Sequence, residues 1–398
     1  MIGRKIKDLS SNVITIVSTI LLVLIFVSII IYVFTKGSRM FSWKFLTLDY
    51  YEKLTIVNTK QTDEVFTNPN IKNTYFSKKY GISLKDDMTV DGNKCISVVY
   101  ISIGSPFNNL QIQTSSDKHK IRKGETLDIL MGETEDGEDV YASVKDGAQI
   151  FCEKLDSASS ISYLQCAISG GGIRGSIIAT LLLILLTILI AMPFGIGGSI
   201  YLSLYAKNGK LKTIITNMID ATGGIPSIIF GFVGSIIFIP FVSTMTKKID
   251  YSIIAGALTM AILLIPIIIK TVNESLTAIP QAYMTGSLAL GATKSQTIFK
   301  VILPCALPGI LSAVFLSIGR IIGESAALIF VMGTTIKDHI SVFQGATSLS
   351  LHIWSLSKAE TPNYEAASTT SIIILIVVFL MNIMVKIISS KITKKRGI

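Results

Sequence analysis

Apolar residues in this chain are gathered into six long runs, at approximately 12–35, 176–206, 221–245, 251–270, 305–333 and 369–390. Each approaches or exceeds the roughly 20 residues a helix needs to cross a bilayer. Between the first two runs the pattern changes. Cys95–Ile103 reads C-I-S-V-V-Y-I-S-I, residues 110–114 alternate apolar and polar, and Asn, Gly, Asp and Pro punctuate the rest, as in Gly104-Ser105-Pro106. Short alternating stretches bounded by turn formers are strand signals. The pattern predicts a mainly α, polytopic membrane protein with six transmembrane helices and an inserted extracytoplasmic domain, α+β or mainly β, between helices 1 and 2. Three regions follow: residues 1–35 with the first helix, residues 36–173 as the insertion, long enough to bury a core of its own, and residues 174–398 with helices 2–6.

The first run resembles a signal peptide only superficially. Val13–Phe34 is longer than the roughly 7–15 residues of a signal h-region, and no small-residue cleavage pattern follows it, so an anchor is expected. Charge then orients the spans. The insertion holds 16 Lys and Arg against 18 Asp and Glu, whereas the remaining residues hold 20 against 8. Basic residues recur beside alternate span ends: Arg4, Lys5 and Lys7, then Lys207, Lys210 and Lys212, then Lys294 and Lys300, then Lys391, Lys394, Lys395 and Arg396. Positive charge favours the cytoplasmic side. A multi-pass protein of the cell membrane with both termini in the cytoplasm is therefore expected, and the basic excess is better explained by membrane lipid and orientation than by nucleic acid.

The motifs exclude several chemistries. Gly209-Lys210 is the only Gly-Lys pair and Leu follows it, so there is no P-loop; H-E-x-x-H and G-x-S-x-G are also absent. Three scattered His and four Cys without a Cys-x-x-Cys pair give no metal signature. A disulfide among Cys95, Cys152 and Cys166 remains open. The acidic run Glu133–Asp139 lacks the spacing of a calcium loop and reads as solvated. No catalytic residue, metal or resident cofactor is expected.

Arg320 and Glu324 are the ionisable residues that stand out, because charge within a span is costly and marks function by default. At i,i+4 they would share a helix face and could pair, either locking helices together or giving an anion a transient partner. Gly319 and Gly323, also four apart, would let a neighbouring helix approach. In the third span Gly223-Gly-Ile-Pro-Ser-Ile-Ile-Phe-Gly231 breaks the helical pattern, so Ser227 and freed backbone groups are candidates for a pore lining, with a plain kink as the other reading. Arg174, at the outer mouth of the second span, either captures anions or anchors its helix. Finally, residues 280–304 form a polar, small-residue segment between apolar runs, in which residues 285–287 and Gly291 permit tight docking of a short helix.

This last segment resembles the cytoplasmic coupling motif of ABC importer permeases, E-A-A-x3-G-x9-I-x-L-P. Gly291, Leu303 and Pro304 match at the right spacing, Val301 replaces Ile, and Thr285-Gly286-Ser287 replaces Glu-Ala-Ala. Residues 171–180, 191–198, 224–231, 319–327 and 351–354 are similar to phosphate permeases, in particular to their A-type subunit. The resemblance covers 171–390 well and 12–35 weakly, and the insertion falls outside it. It implies a heterodimeric pore with a PstC-type permease, a PstB-type ATPase dimer that carries ATP and Mg, and a PstS-type phosphate-binding protein. A coupling helix near 282–294 would contact the ATPase through Tyr283, Thr285, Gly286, Ser287, Ala289, Gly291 and Ala292, and Arg320 and Glu324 would belong to the phosphate path. Permeases for molybdate, sulfate or phosphonate, and a phosphate-sensing subunit signalling to a histidine kinase, are the alternatives.

Overall fold

The computed structural model describes residues 2–60, 64–89, 92–113, 118–168, 170–359 and 362–396. The side chains of residues 1–11 and 392–398 lie outside the described set, among them Arg4, Lys5, Lys7, Lys394, Lys395 and Arg396, as does Thr114 of the expected strand. The chain divides into two compact units, Ser42–Arg174 and Met1–Phe41 together with Gly175–Ile398.

After the long apolar helix α1 (Ile2–Gly37), the Ser42–Arg174 unit begins with the short helix α2 (Trp43–Thr47), whose Ser42 side chain accepts from the Phe45 N–H. Nine strands follow: β1 (Lys53–Lys60), β2 (Tyr75–Ser77), β3 (Ile82–Met88), β4 (Lys94–Ile101), β5 (Leu110–Ile112), β6 (Lys118–His119), β7 (Thr126–Glu133), β8 (Asp139–Ser143) and β9 (Ser160–Ile168), with helix α3 (Gly147–Ser157) between the last two. They form one sheet in the order β2-β3-β4-β7-β9-β1-β5-β6, with β8 added to β7. The insertion, expected as α+β or mainly β, is among the described residues a sheet with one longer helix, α3. Period-two alternation sends Ile82 and Leu84, Ile96 and Val98, and Leu127 to one face. On α3, Ala148, Phe151, Cys152 and Leu155 recur at helical spacing and join the same core. Cys95, Cys152 and Cys166 are buried free thiols. Burial pushes Cys95 up to about 11 and Cys152 up to about 12, so both are inert at neutral pH.

The other unit contains α1, α4 (Arg174–Ile200), α5 (Lys210–Thr222), α6 (Ser227–Thr246), α7 (Ile253–Thr277), α8 (Gln281–Ala289), α9 (Lys294–Thr297), α10 (Leu303–Gly323), α11 (Ala326–Met332), α12 (Leu349–Lys358) and α13 (Tyr364–Arg396). Among the described residues, six helical segments are long and apolar enough to span a membrane: Asn12–Gly37, Arg174–Tyr205, Ser227–Thr246, Ile253–Thr277, Lys294–Gly323 and Tyr364–Lys391. α7 is the central one. It buries most of its residues from Ile253 to Leu264, leaving the Ile254, Leu258 and Ile262 stripe less covered, and beyond that buries one stripe, Ile268, Val272 and Leu276. α1 packs on α13, where the Gly37 carbonyl accepts from Thr369 at 2.8 Å and an added Cβ at Gly37 would meet the Ser368 backbone at 2.7 Å.

Two helix boundaries differ from the sequence reading. The glycines and proline of 223–226 do not interrupt a span; they form the turn between α5 and α6, and the third span starts at Ser227. The fifth run is not one helix through 333. α10 ends at Gly323, Glu324 takes an extended conformation (φ −80°, ψ 127°), and α11 starts at Ala326.

Candidate functional site

The break at Glu324 is the first element of the site. Leaving the helical path frees backbone groups at the end of α10 and the start of α11, and at membrane depth such groups need partners. Glu324 supplies one. Its Oε1 accepts from the Ala327 N–H at 3.3 Å, placing a carboxylate at the start of α11, where the helix dipole favours it. The Glu324 carbonyl accepts from Ser350 Oγ on α12. Glu324 is accordingly buried, at 8% exposure. Arg320, one turn earlier on α10, is exposed, and no carboxylate lies within ion-pair distance of it among the described residues. The expected i,i+4 pair is therefore corrected. The two residues belong to different backbone segments: Glu324 caps a helix, and Arg320 has no carboxylate partner among the described residues.

The surroundings separate a packed face from an open one. An added Cβ at Gly231 of α6 would meet the Ala327 Cα at 2.6 Å, and at Gly234 it would meet Thr259 Cγ2 of α7 at 2.8 Å. Phe232 and Phe330 meet edge to face with centroids 6.4 Å apart. These contacts hold α6 against α11 and α7. At Gly319 and Gly323 on α10, nothing lies within 4 Å of the same probe position. The expected close approach of a helix there is not made within this chain. Ser227 is half-buried at the first turn of α6, next to the exposed Ile228 and Ile229.

Behind the break lies a polar network that the sequence reading missed. Ser348 caps α12 by accepting from the Leu351 N–H at 3.3 Å. Thr180 of α4 accepts from the Leu349 N–H at 2.9 Å. Ser176 is 3.0 Å from Thr347 Oγ1 and 2.7 Å from His352 Nδ1. His352 is buried, and burial pushes its pKa down to about 4, so it is neutral at physiological pH. A Ser followed two residues later by Ser and four later by His in an apolar stretch was the available signal.

Arg174 is placed elsewhere, within the Ser42–Arg174 unit. Its Nε donates to Asp49 Oδ1 at 2.8 Å and its Nη2 pairs with the same oxygen, while Lys53 reaches Asp49 Oδ2 at 2.8 Å. Burial would raise the Asp49 carboxyl, but the hydrogen bonds and charges of Lys53 and Arg174 outweigh it and hold it below its usual value. Arg174 thus has a carboxylate partner within this unit.

The 280–304 segment forms a helical hairpin. α8 leads through Leu290 to Gly291, whose φ of +87° suits glycine. Thr293 and Gln296 then form a reciprocal capping box at the start of α9. The hairpin is closed by Ser287 Oγ, 2.9 Å from Thr297 Oγ1, and Met284 packs on the core of its unit. Lys294 sits 4.6 Å above the Tyr205 ring, a cation–π contact. The opposite surface carries Tyr283, Thr285, Gly286 and Ala289, all exposed; Ala292 is half-buried, and Leu290 is 91% exposed. An added Cβ at Gly286 meets nothing within 4 Å. The same space is open at Gly291, so its requirement is backbone conformation, not docking clearance.

Residues 191–394, just over half of the chain, match the family described as binding-protein-dependent transport system inner membrane component. The chain is 29% identical over 242 residues to the probable ABC transporter permease protein YqgI of Bacillus subtilis (strain 168), covering 57% of this chain and 81% of the relative. It is 28% identical over 228 residues to the phosphate transport system permease protein PstA 1 of Mycobacterium tuberculosis (strain ATCC 25618 / H37Rv), covering 57% and 72%. Among solved structures, an inward-facing form of the MetNI methionine ABC transporter is similar with a TM-score of 0.43 and 23% identity, over 56% of this chain and 95% of that one.

Proposed function

This chain belongs to the binding-protein-dependent transport system inner membrane component family, and from that premise we propose that it is the PstA-type permease subunit of an ATP-driven phosphate importer. The observation that carries the substrate side is Arg320: a cation within a spanning helix, exposed, without a carboxylate partner among the described residues, beside the open glycine face of α10. A charge left in that position has a function before it has a structural use. An oxyanion passing along α10 finds one guanidinium and, among the described residues, no fixed carboxylate opposite it, so it is attracted but released, as a path requires. Glu324 acts indirectly, by capping α11 and fixing the break that sets the direction of α10's last turn. Ser227, at the first turn of α6, is a lesser candidate for the lining.

The open face around Gly319, Arg320 and Gly323 is where a second, PstC-type permease completes the pore. The α8–α9 hairpin is the coupling element: Tyr283, Thr285, Gly286 and Ala289 meet a PstB-type ATPase, while Ser287 works from inside by closing the hairpin on Thr297. In this reading ATP and Mg belong to the ATPase, the hairpin and both termini are cytoplasmic, and a PstS-type protein delivers phosphate from the other side. Radiolabelled phosphate uptake by cells expressing the chain with its partners tests the substrate. Uptake should be competed by unlabelled phosphate and not by molybdate, sulfate or a phosphonate at equal concentration. Stronger competition by any of those three would reassign the transported ion.

A further inference from the structure

The Ser42–Arg174 unit carries a cleft on the sheet face opposite its core. Alternation decides which side chains reach it. On β3, Ile82 and Leu84 enter the core, so Lys85 and Asp87 point the other way; on β4, Ile96 and Val98 enter the core, so Cys95, Ser97 and Val99 face outward with them. Lys85 pairs with Ser97 across β3 and β4, and Ser97 pairs with Thr126 across β4 and β7. The three therefore form one cross-strand row on the cleft floor. The cleft has a volume of about 610 Å³, within the range of small-molecule sites.

Its charge is one-sided. Lys72, Lys85, Arg122 and Lys123 line it, and none has an ion-pair partner among the described residues. Among the described residues, the two acidic residues that line it are engaged: Asp87 with Lys44 at 3.2 Å, and Glu125 with His119 at 3.1 Å. Arg122 and Lys123 are presented by a turn through Gly124, whose φ is +92°. Ser97 supplies a second, independent observation. It is 8% exposed, lines the cleft, and its hydroxyl has no partner among the described residues. It is not among the fully enclosed unpaired hydroxyls, so it is open to the cleft and can donate to a ligand oxygen there. The remaining lining includes Leu48, Ile71 and Met88, so the space holds more than a bare ion.

We propose that this cleft binds a small molecule bearing a phosphate group, mono- or diester, on a polyol or apolar body. The phosphate would sit over the Lys85–Ser97 row, where the amine and the hydroxyl both donate, with Arg122 able to form two parallel hydrogen bonds. The body would lie along Leu48, Ile71 and Met88. The same chemistry is offered by a soluble organic phosphate, by inorganic phosphate, and by an anionic lipid headgroup. The proposal does not depend on which ion the permease transports.

Isothermal titration of the full-length protein in zwitterionic micelles with glycerol 3-phosphate and with inorganic phosphate tests it, alongside mass spectrometry of phosphatidylglycerol retained from nanodiscs. At least one probe should bind in a salt-sensitive manner, and the Lys85→Ala/Arg122→Ala protein should bind it at least tenfold more weakly. Ser97→Ala, which removes one hydrogen bond and leaves the fold intact, should weaken it about threefold and keeps the test open if the double variant does not fold. Preference for glycerol phosphate assigns a soluble ester, equal binding of both soluble probes assigns the free ion, and retention of lipid alone assigns the headgroup. Each of these supports the cleft. Failure of all three probes, including the case where only an acidic protein binds, overturns it, as does wild-type binding by both variants.

Discussion

α6 and α10 both carry glycines that read alike in the sequence, and the structure uses them in opposite ways. Gly231 and Gly234 face other elements of the same unit so closely that a single added carbon would collide with the Ala327 backbone or the Thr259 side chain. Gly319 and Gly323 face nothing within 4 Å. Small residues allow close helix approach, but spacing alone does not say whether the approaching surface is in the same chain. Gly231 holds the α6–α11 contact that buttresses the break, and Gly234 holds α6 against α7. The open pair flanks Arg320 and leaves it accessible.

The largest expected effect tests the packed side. Gly231→Leu forces a side chain into a backbone that cannot yield, at a cost of about 3 kcal/mol or more. The chain should be lost from the monodisperse peak in size-exclusion chromatography. Gly319→Leu should leave that peak unchanged and lower phosphate uptake at least tenfold, because its space is needed only when the pore is assembled. Equal behaviour of the two variants would erase the comparison.

A second contrast separates the two glycines of the α8–α9 hairpin. Gly286→Trp should detach the ATPase in co-purification while the chain itself stays folded, because open space around Gly286 leaves room for the ring until a partner arrives. Gly291→Ala should act through strain at φ +87°, costing about 1 kcal/mol. It should lower the melting temperature of the permease while the ATPase stays bound.

A pH-dependent effect concerns the network behind the break. His352 is neutral when folded, with a pKa near 4 against about 6.5 when unfolded. As pH falls through 6.5 the unfolded state takes up a proton that the folded state refuses, so stability declines between pH 6.5 and 4 and is flat below. The loss is about 3 kcal/mol at most. Thermal melts in detergent should show this slope in the wild type and a shallower one in His352→Gln.

Much of this architecture was legible in the sequence because it follows from length and periodicity. Runs near 20 apolar residues specify spans, and the alternation in Cys95–Ile103 specifies β4. The hairpin was legible as a segment, whereas its capping box, Thr293 to Gln296, emerged only with the structure. The breaks were not. Gly223–Pro226 looked like an interruption within a span because apolar residues flank it on both sides; whether a helix starts at Ser227 depends on α5 forming before it. Nothing local announces that the helix stops at Glu324 beyond the glycine before it. The stop is stabilised by Ser350, 26 residues later, and by the Glu324 side chain turning back to Ala327. A pairing of Arg320 with Glu324 is the natural inference from i,i+4 spacing, and it fails because that rule presumes a continuous helix. Long-range partners such as Ser176 and His352 are set by tertiary packing and leave only weak local traces.

Arg320, without a carboxylate partner among the described residues, serves a passing anion in the proposed path, and Arg320→Gln probes that role. Binding-protein-dependent phosphate uptake and recovery of the assembled complex should be measured on the same membranes. Assembly should be complete and uptake reduced at least a hundredfold. Full uptake with normal assembly would contradict it, and loss of assembly would show that Arg320 holds the subunits together and does not serve the path.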